Sequence, residues 1–236
     1  MSFDDQLEQP VAGDEHPLPP FHTRLIQTFV APGRLAEALA HNPAWALALV
    51  VGALLIVAQT VLIPPEVWDA MFRETMLQQG REMPEGFGAG ATVMRISAVV
   101  GGAIGYVVMS FLFAGIVTLL FAFLLGDEGR YKQYLASLTH AWLIPSLVGL
   151  ALVPLRISEQ NPQLTLNLGT FFYFLPEGYL QKVFTMLDLS QIWAWLVVAQ
   201  GAYAIDRRRS VGSAAAVLIA ISVVMALIFA LFVPTL

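Results

Sequence analysis

The polar side chains that could do chemistry in this chain stand inside long apolar stretches. His140 lies in one of them and Gln200 in another. At about 1.5 Å of rise per helical residue, His140 is roughly 14 Å from Tyr131 and Gln200 about 10 Å from Arg207, so the two reach similar depth. An ionisable group at that depth faces a bundle interior. As a functional group, His140 would line an ion or solute pathway with Gln200. As a structural group it would be a neutral imidazole, hydrogen-bonded to Ser146, Gln200, a water or a carbonyl freed by Pro145. The structural role is the expectation, with His140, Ser146 and Gln200 forming an interior polar cluster. Asp188 shares a helical face with Gln191 and Trp195 at the start of a further apolar stretch, where a carboxylate suits a helix N-terminus. Trp193 and Gln200 take the opposite face. Gln59 reads as a helix-to-helix hydrogen bond.

Other chemistries find no residues to carry them. The histidines (16, 22, 41 and 140) form no HExxH and pair with no carboxylate at ligand spacing, so neither metal nor cofactor is expected. There are no cysteines, which removes disulfides, thiolate metal sites and cysteine nucleophiles together. No GxSxG and no pair of intramembrane aspartates occurs. The only lysines, Lys132 and Lys182, fall in loops, and no enzyme is expected. The GFGAG at 86–90 lacks the Gly-Lys-Ser/Thr that completes a phosphate loop and reads as flexible punctuation. A net charge of −5, with Asp4, Asp5, Glu8, Asp14 and Glu15 ahead of the first cation, Arg24, is unsuited to nucleic acid.

The elements that must position these residues are membrane helices. Hydrophobic residues make up 57% of the chain and charged ones 12%, with mean hydropathy +0.70, far from soluble composition. The expected fold is all-α: one polytopic bundle of five transmembrane helices with amphipathic helices at the interface. The spans are expected near residues 44–63, 96–125, 134–153, 187–205 and 211–233. Asn42 and Pro43 would start the first. The second carries Gly101 and Gly105, a GxxxG at which another backbone could pack closely, and is read as the packing hub. Residues 1–20, acidic and proline-rich, are expected to be a disordered tail with no cleavable signal, leaving 22–236 as the membrane domain. Short helices at 22–31 and 33–41 would lie on the membrane surface, the first by an apolar face of Leu25, Ile26, Phe29 and Val30. A third surface helix is expected at 66–80. Residues 180–187 would run straight into the fourth span.

Orientation follows the cations. Arg24, Arg34, Arg130, Lys132 and Arg207 to Arg209 fall on one side in short segments, which places the N-terminus in the cytosol and the C-terminus outside. In that setting the arginine triplet lies between two spans and is no nucleic-acid patch. The segment APGRLAEALAHNPAWALAL, with Pro32 and Pro43 bracketing a short helix, resembles the opening of a Yip domain. So do Pro145 inside the third span and LDLSQIWAWLVVAQG, where Asp188 precedes Trp193. The resemblance covers roughly residues 22–233 and implies five spans with a cytosolic N-terminus. Its eukaryotic members are linked to Rab GTPases and vesicle traffic. The compact loops and short acidic tail here are closer to bacterial members, so that role is not carried over and an inner-membrane location is expected. No ligand or catalytic residue comes with the family. Two functions stay open: a non-enzymatic scaffold or adaptor for lipid and membrane partners, itself included, or a small solute or ion transporter or channel.

Overall fold

The computed structural model describes residues 17–78, 80, 87–176 and 178–232, so the expected tail lies outside the described residues except for 17–20. Two short helices come first, α1 (Phe21–Val30) and α2 (Pro32–His41), followed by α3 (Ala46–Val61), α4 (Pro65–Gln78) and α5 (Phe87–Thr118). A π-helical turn, Leu119–Leu124, ends α5. Next come α6 (Tyr131–Ala141), α7 (Leu143–Ala151), α8 (Val153–Ser158), α9 (Tyr179–Met186), α10 (Leu189–Ile205) and α11 (Val211–Phe229). Among the described residues the only β pairing is one isolated bridge, Asn167 to Asp188. The protein is an integral, multi-pass, all-α membrane protein.

Three helical segments are long and apolar enough to cross: Thr92–Leu124, Tyr131–Ala151 and Val211–Phe229. Ala46–Val61 reaches that standard only together with Pro65–Leu77, across an 80° bend, which makes four. The fifth apolar helix, α10, is short. Its 17 residues reach about 25 Å, less than the ~30 Å hydrocarbon core. Several boundaries shift from expectation for local reasons. Asn42 ends α2 instead of starting α3, its N–H bonding the Ala38 carbonyl at 2.9 Å. The second membrane helix begins about nine residues early, taking Phe87 to Gly90 of the GFGAG segment into helix. Leu187 and Asp188 separate α9 from α10, because Leu187 O and Leu189 N bond the backbone at 166–168. The third span breaks at Trp142, where Pro145 lacks the N–H that would bond the Ala141 carbonyl.

The packing centre is the α6–α7 span, not the second span. Some 72% of its window is buried, against 22% for Thr92–Leu124. Every residue from Tyr134 to Ala141 is buried, and α10 packs against α2, α6, α7 and α11. Trp142 sits between Tyr106 and Phe113, with ring centroids at 5.8 and 5.5 Å. The α5 helix lies at the perimeter, presenting Val100, Ile104, Val108 and Leu112 outward. Its Gly101 and Gly105 face open space, so the GxxxG is not a packing seam within the chain, whereas Gly102 beside them does meet Ile56. The close approaches lie elsewhere. Gly201 of α10 abuts Ser137 of α6, Gly52 abuts Tyr106 and Gly149 abuts Gln59.

A β-carbon at Gly201 would collide with Ser137 Oγ and Cβ, which sit too near their own backbone to swing away. Gly201→Ala is therefore expected to destabilise by about 1–3 kcal/mol through overpacking. Gly101→Ala should fall within about 0.5 kcal/mol of the parent. Thermal unfolding in detergent compares the two, and equal losses would contradict the assignment.

Candidate functional site

The most deeply buried ionisable contact joins a surface helix to the packing centre. His140, fully buried on α6, places Nδ1 2.8 Å from the carbonyl of Ala136 one turn back. That contact makes Nδ1 the donor and leaves Nε2 as an acceptor, a tautomer assigned from the network. Arg24 of α1 donates to it, Nη1 to Nε2, at 3.1 Å and also reaches the Ala44 carbonyl at 3.3 Å. Its guanidinium stands 5.3 Å from the centroid of the Phe21 ring. Among the described residues no carboxylate pairs with Arg24, and its Nε is buried without a partner. The permanent charge is thus held by a neutral imidazole, a carbonyl and an aromatic face.

The apolar face of α1 expected to meet the membrane points away from the bundle at Ile26 and Val30, which are 58% and 74% exposed, while the opposite stripe, Arg24 and Thr28, is buried. Apolar side chains gain nothing by leaving hydrocarbon, and the polar stripe needs protein partners. Phe29 adds an edge-on contact to Trp193 of α10, with centroids 5.5 Å apart. Next to it α2 lies across α10, with Gly33 near Gln200. Gln133 donates to the Ala40 carbonyl at 2.7 Å, and Arg207 pairs with Glu37 at 2.8 Å.

Charges close the same end of the bundle. Arg209 forks onto Asp127 at 2.6 and 2.7 Å, and Arg208 onto Asp206. Asp206 also accepts the Glu128 N–H at 3.1 Å, tying the α10–α11 turn to the turn before α6. The Arg208 hydrogen bonds hold the Asp206 carboxyl well below the usual carboxylate range, and bonding to Asp127 raises Arg209. None of these groups is a free nucleophile or a proton donor and acceptor pair. The arrangement fixes helices.

The expected cluster of His140, Ser146 and Gln200 does not form. Ser146 follows the break at Trp142 and donates to the Trp142 carbonyl at 2.8 Å, on the side of the break away from His140. Gln200 faces α2. Pro32 occupies the first turn of α2, and Pro43 lies in the link to α3. Asp188 caps α10, accepting from the Ser190 and Gln191 amides. Gln59 accepts from Arg156 Nη1 at 2.8 Å. Sequence reasoning missed Arg24 as His140's partner, and the available signal was Thr28 one turn on, a polar i, i+4 stripe.

This arrangement of short entry helices, broken third span and Asp-capped fourth helix accompanies a match of the Yip1 domain model to residues 26–233. The chain belongs to the Yip1 family. No curated protein and no solved structure matches it. The match begins within α1, at residue 26, and takes in every helix from α2 to α11.

Two measurements check the site. In a double-mutant cycle on Arg24→Met and His140→Ala, unfolding in detergent should reveal a favourable coupling of about 0.6–1.7 kcal/mol. A coupling of zero would mean that the two side chains do not support each other. For Asp206 the folded carboxyl titrates below its unfolded value of about 3.9, so its stabilisation is complete above that pH and is lost as pH falls towards the folded value. The stability advantage of the parent over Asp206→Asn should be flat at neutral pH and shrink only below about pH 4. An advantage that fades between pH 8 and 6 would contradict this.

Proposed function

We propose that this Yip1-family protein is a non-enzymatic adaptor of the membrane, with its α1–α2 face as the docking platform for another membrane protein. The carrying observation is that polar contacts running from the buried interior to the surface fasten two surface helices to the bundle. Arg24 with His140, Gln133 with the Ala40 carbonyl, and Arg207 with Glu37 hold the pair rigid. Outward from that fastening, His22, Ile26 and Val30 form one exposed stripe. A rigid helix with an apolar edge suits recognition by another membrane helix. With the arginine triplet in the cytosol, the platform belongs to the cytosolic side of a bacterial inner membrane. A photo-crosslinking residue at Val30, activated in native membranes, should give one discrete protein adduct that disappears when Arg24→Gln releases α1. Adducts to lipid alone would defeat the adaptor reading.

Transport past His140 and Gln200 is the second reading. The full burial of His140 on the central span motivates it, and flux into proteoliposomes that His140→Ala abolishes with stability unchanged would decide for it.

A further inference from the structure

At the end of the bundle away from the arginine triplet, α3, α5, α7 and α10 part around a cavity of about 280 Å³. Its lining extends from Arg156 to Ser146, ten residues back along the chain or roughly 15 Å of helical rise, and on to Trp142. Ile56, Val148 and Leu152 give it an apolar wall. Its polar groups have unused bonding capacity.

Arg156 is only 9% exposed and donates from Nε to the Leu164 carbonyl and from Nη1 to Gln59. Its second amino group donates to none of the described residues. Among the described residues Asp188 accepts three hydrogen bonds on Oδ1 for the α10 cap and none on Oδ2. Arg156 and Asp188 line the same cavity but form no ion pair there. Gln191 also lines it, and its Nε2 is buried without a partner among the described residues.

A lining with one cation, one anion and a spare amide donor selects on charge. A monoanion would satisfy Arg156 and face Asp188, and a monocation would do the reverse. A small zwitterion satisfies both, with its anionic oxygens on Arg156 and Gln191 and its ammonium on Asp188 Oδ2. We propose that this cavity is a binding site for a small zwitterion bearing an ammonium and an anionic group, the chemistry shared by a free amino acid and an ethanolamine phospholipid headgroup. The apolar wall fits a short aliphatic side chain or the start of an acyl chain. This site is separate from the α1–α2 platform and does not depend on the adaptor reading.

The test uses full-length protein, delipidated in detergent, and equilibrium binding of L-leucine beside two matched probes. 4-Methylvalerate lacks the ammonium, and leucinamide lacks the carboxylate. A fourth probe, dihexanoyl phosphatidylethanolamine, is compared with dihexanoyl phosphatidylglycerol. Leucine or the ethanolamine lipid should bind with a Kd below about 1 mM, at least tenfold tighter than its singly charged counterparts. Binding by leucine but not the lipid assigns a soluble ligand, and the reverse assigns a headgroup. Asp188→Asn keeps a good helix cap while removing the charge, so the fold should hold. It should bring the leucine and 4-methylvalerate affinities together. Gln191→Leu removes a donor that has no partner in the fold, and should weaken the zwitterion severalfold without loss of stability. No binding by either zwitterion, equal binding by 4-methylvalerate, or unchanged selectivity in Asp188→Asn would each overturn the assignment.

Discussion

A guanidinium cannot shed its charge, and Arg24 is 6% exposed against an apolar bundle. That constraint organises the entry end of the molecule. The side chain must find acceptors inside protein, and among the described residues those it bonds are His140 Nε2 and the Ala44 carbonyl. His140 can serve because its other nitrogen bonds the Ala136 carbonyl, which fixes the ring and its tautomer. The α6–α7 span can carry so many polar residues because it is central, where other helices and its own carbonyls meet them. Thr139 bonds Ala136 O, and Ser146 bonds Trp142 O. In lipid the polar residues gather at the centre and the aliphatic ones go to the rim.

Close packing obeys the same economy of contact. With water absent, apolar surface gives no reason for two helices to meet, and the backbones approach where one side is a glycine and the other presents a small or polar group. Gly201 with Ser137, Gly149 with Gln59 and Gly52 with Tyr106 are of this kind. Gly101 and Gly105 lack such a facing group and stay at the rim.

This difference explains what the sequence made legible. Apolar length and charge spacing located the apolar helices and the surface helices to within a few residues, apart from the start of α5 about nine residues early, because hydrocarbon thickness imposes them. Asp188 as a cap was legible too, since it depends on the next three residues alone. Pairings across the bundle were not. His140 with Arg24 lies 116 positions apart and Gln59 with Arg156 lies 97 apart, and helical periodicity carries no information over such distances. The outward apolar edge of α1 was legible from periodicity, whereas the burial of Arg24 against His140 was not. The GxxxG was misread because its spacing states that an approach is possible, and the neighbours decide whether it happens.

The two ends of the bundle treat charge differently, and the difference is physical. At the arginine-triplet end each carboxylate has a basic partner in hydrogen-bond range: Asp127 with Arg209, Asp206 with Arg208 and Glu37 with Arg207. Those pairs connect turns and surface helices. At the other end Arg156 and Asp188 border one cavity, Arg156 held by the Leu164 carbonyl and Gln59 of α3 and Asp188 by the first turn of α10. Two opposite charges that could neutralise each other, but are anchored apart by separate caps and carbonyls, keep a field across the space between them in a medium of low dielectric. Water can fill such a space, yet a molecule carrying both charges matches the field with fewer ordered particles. A fold that closes one end with ion pairs and holds a pair open at the other therefore has its rigid face and its receptive face on opposite sides.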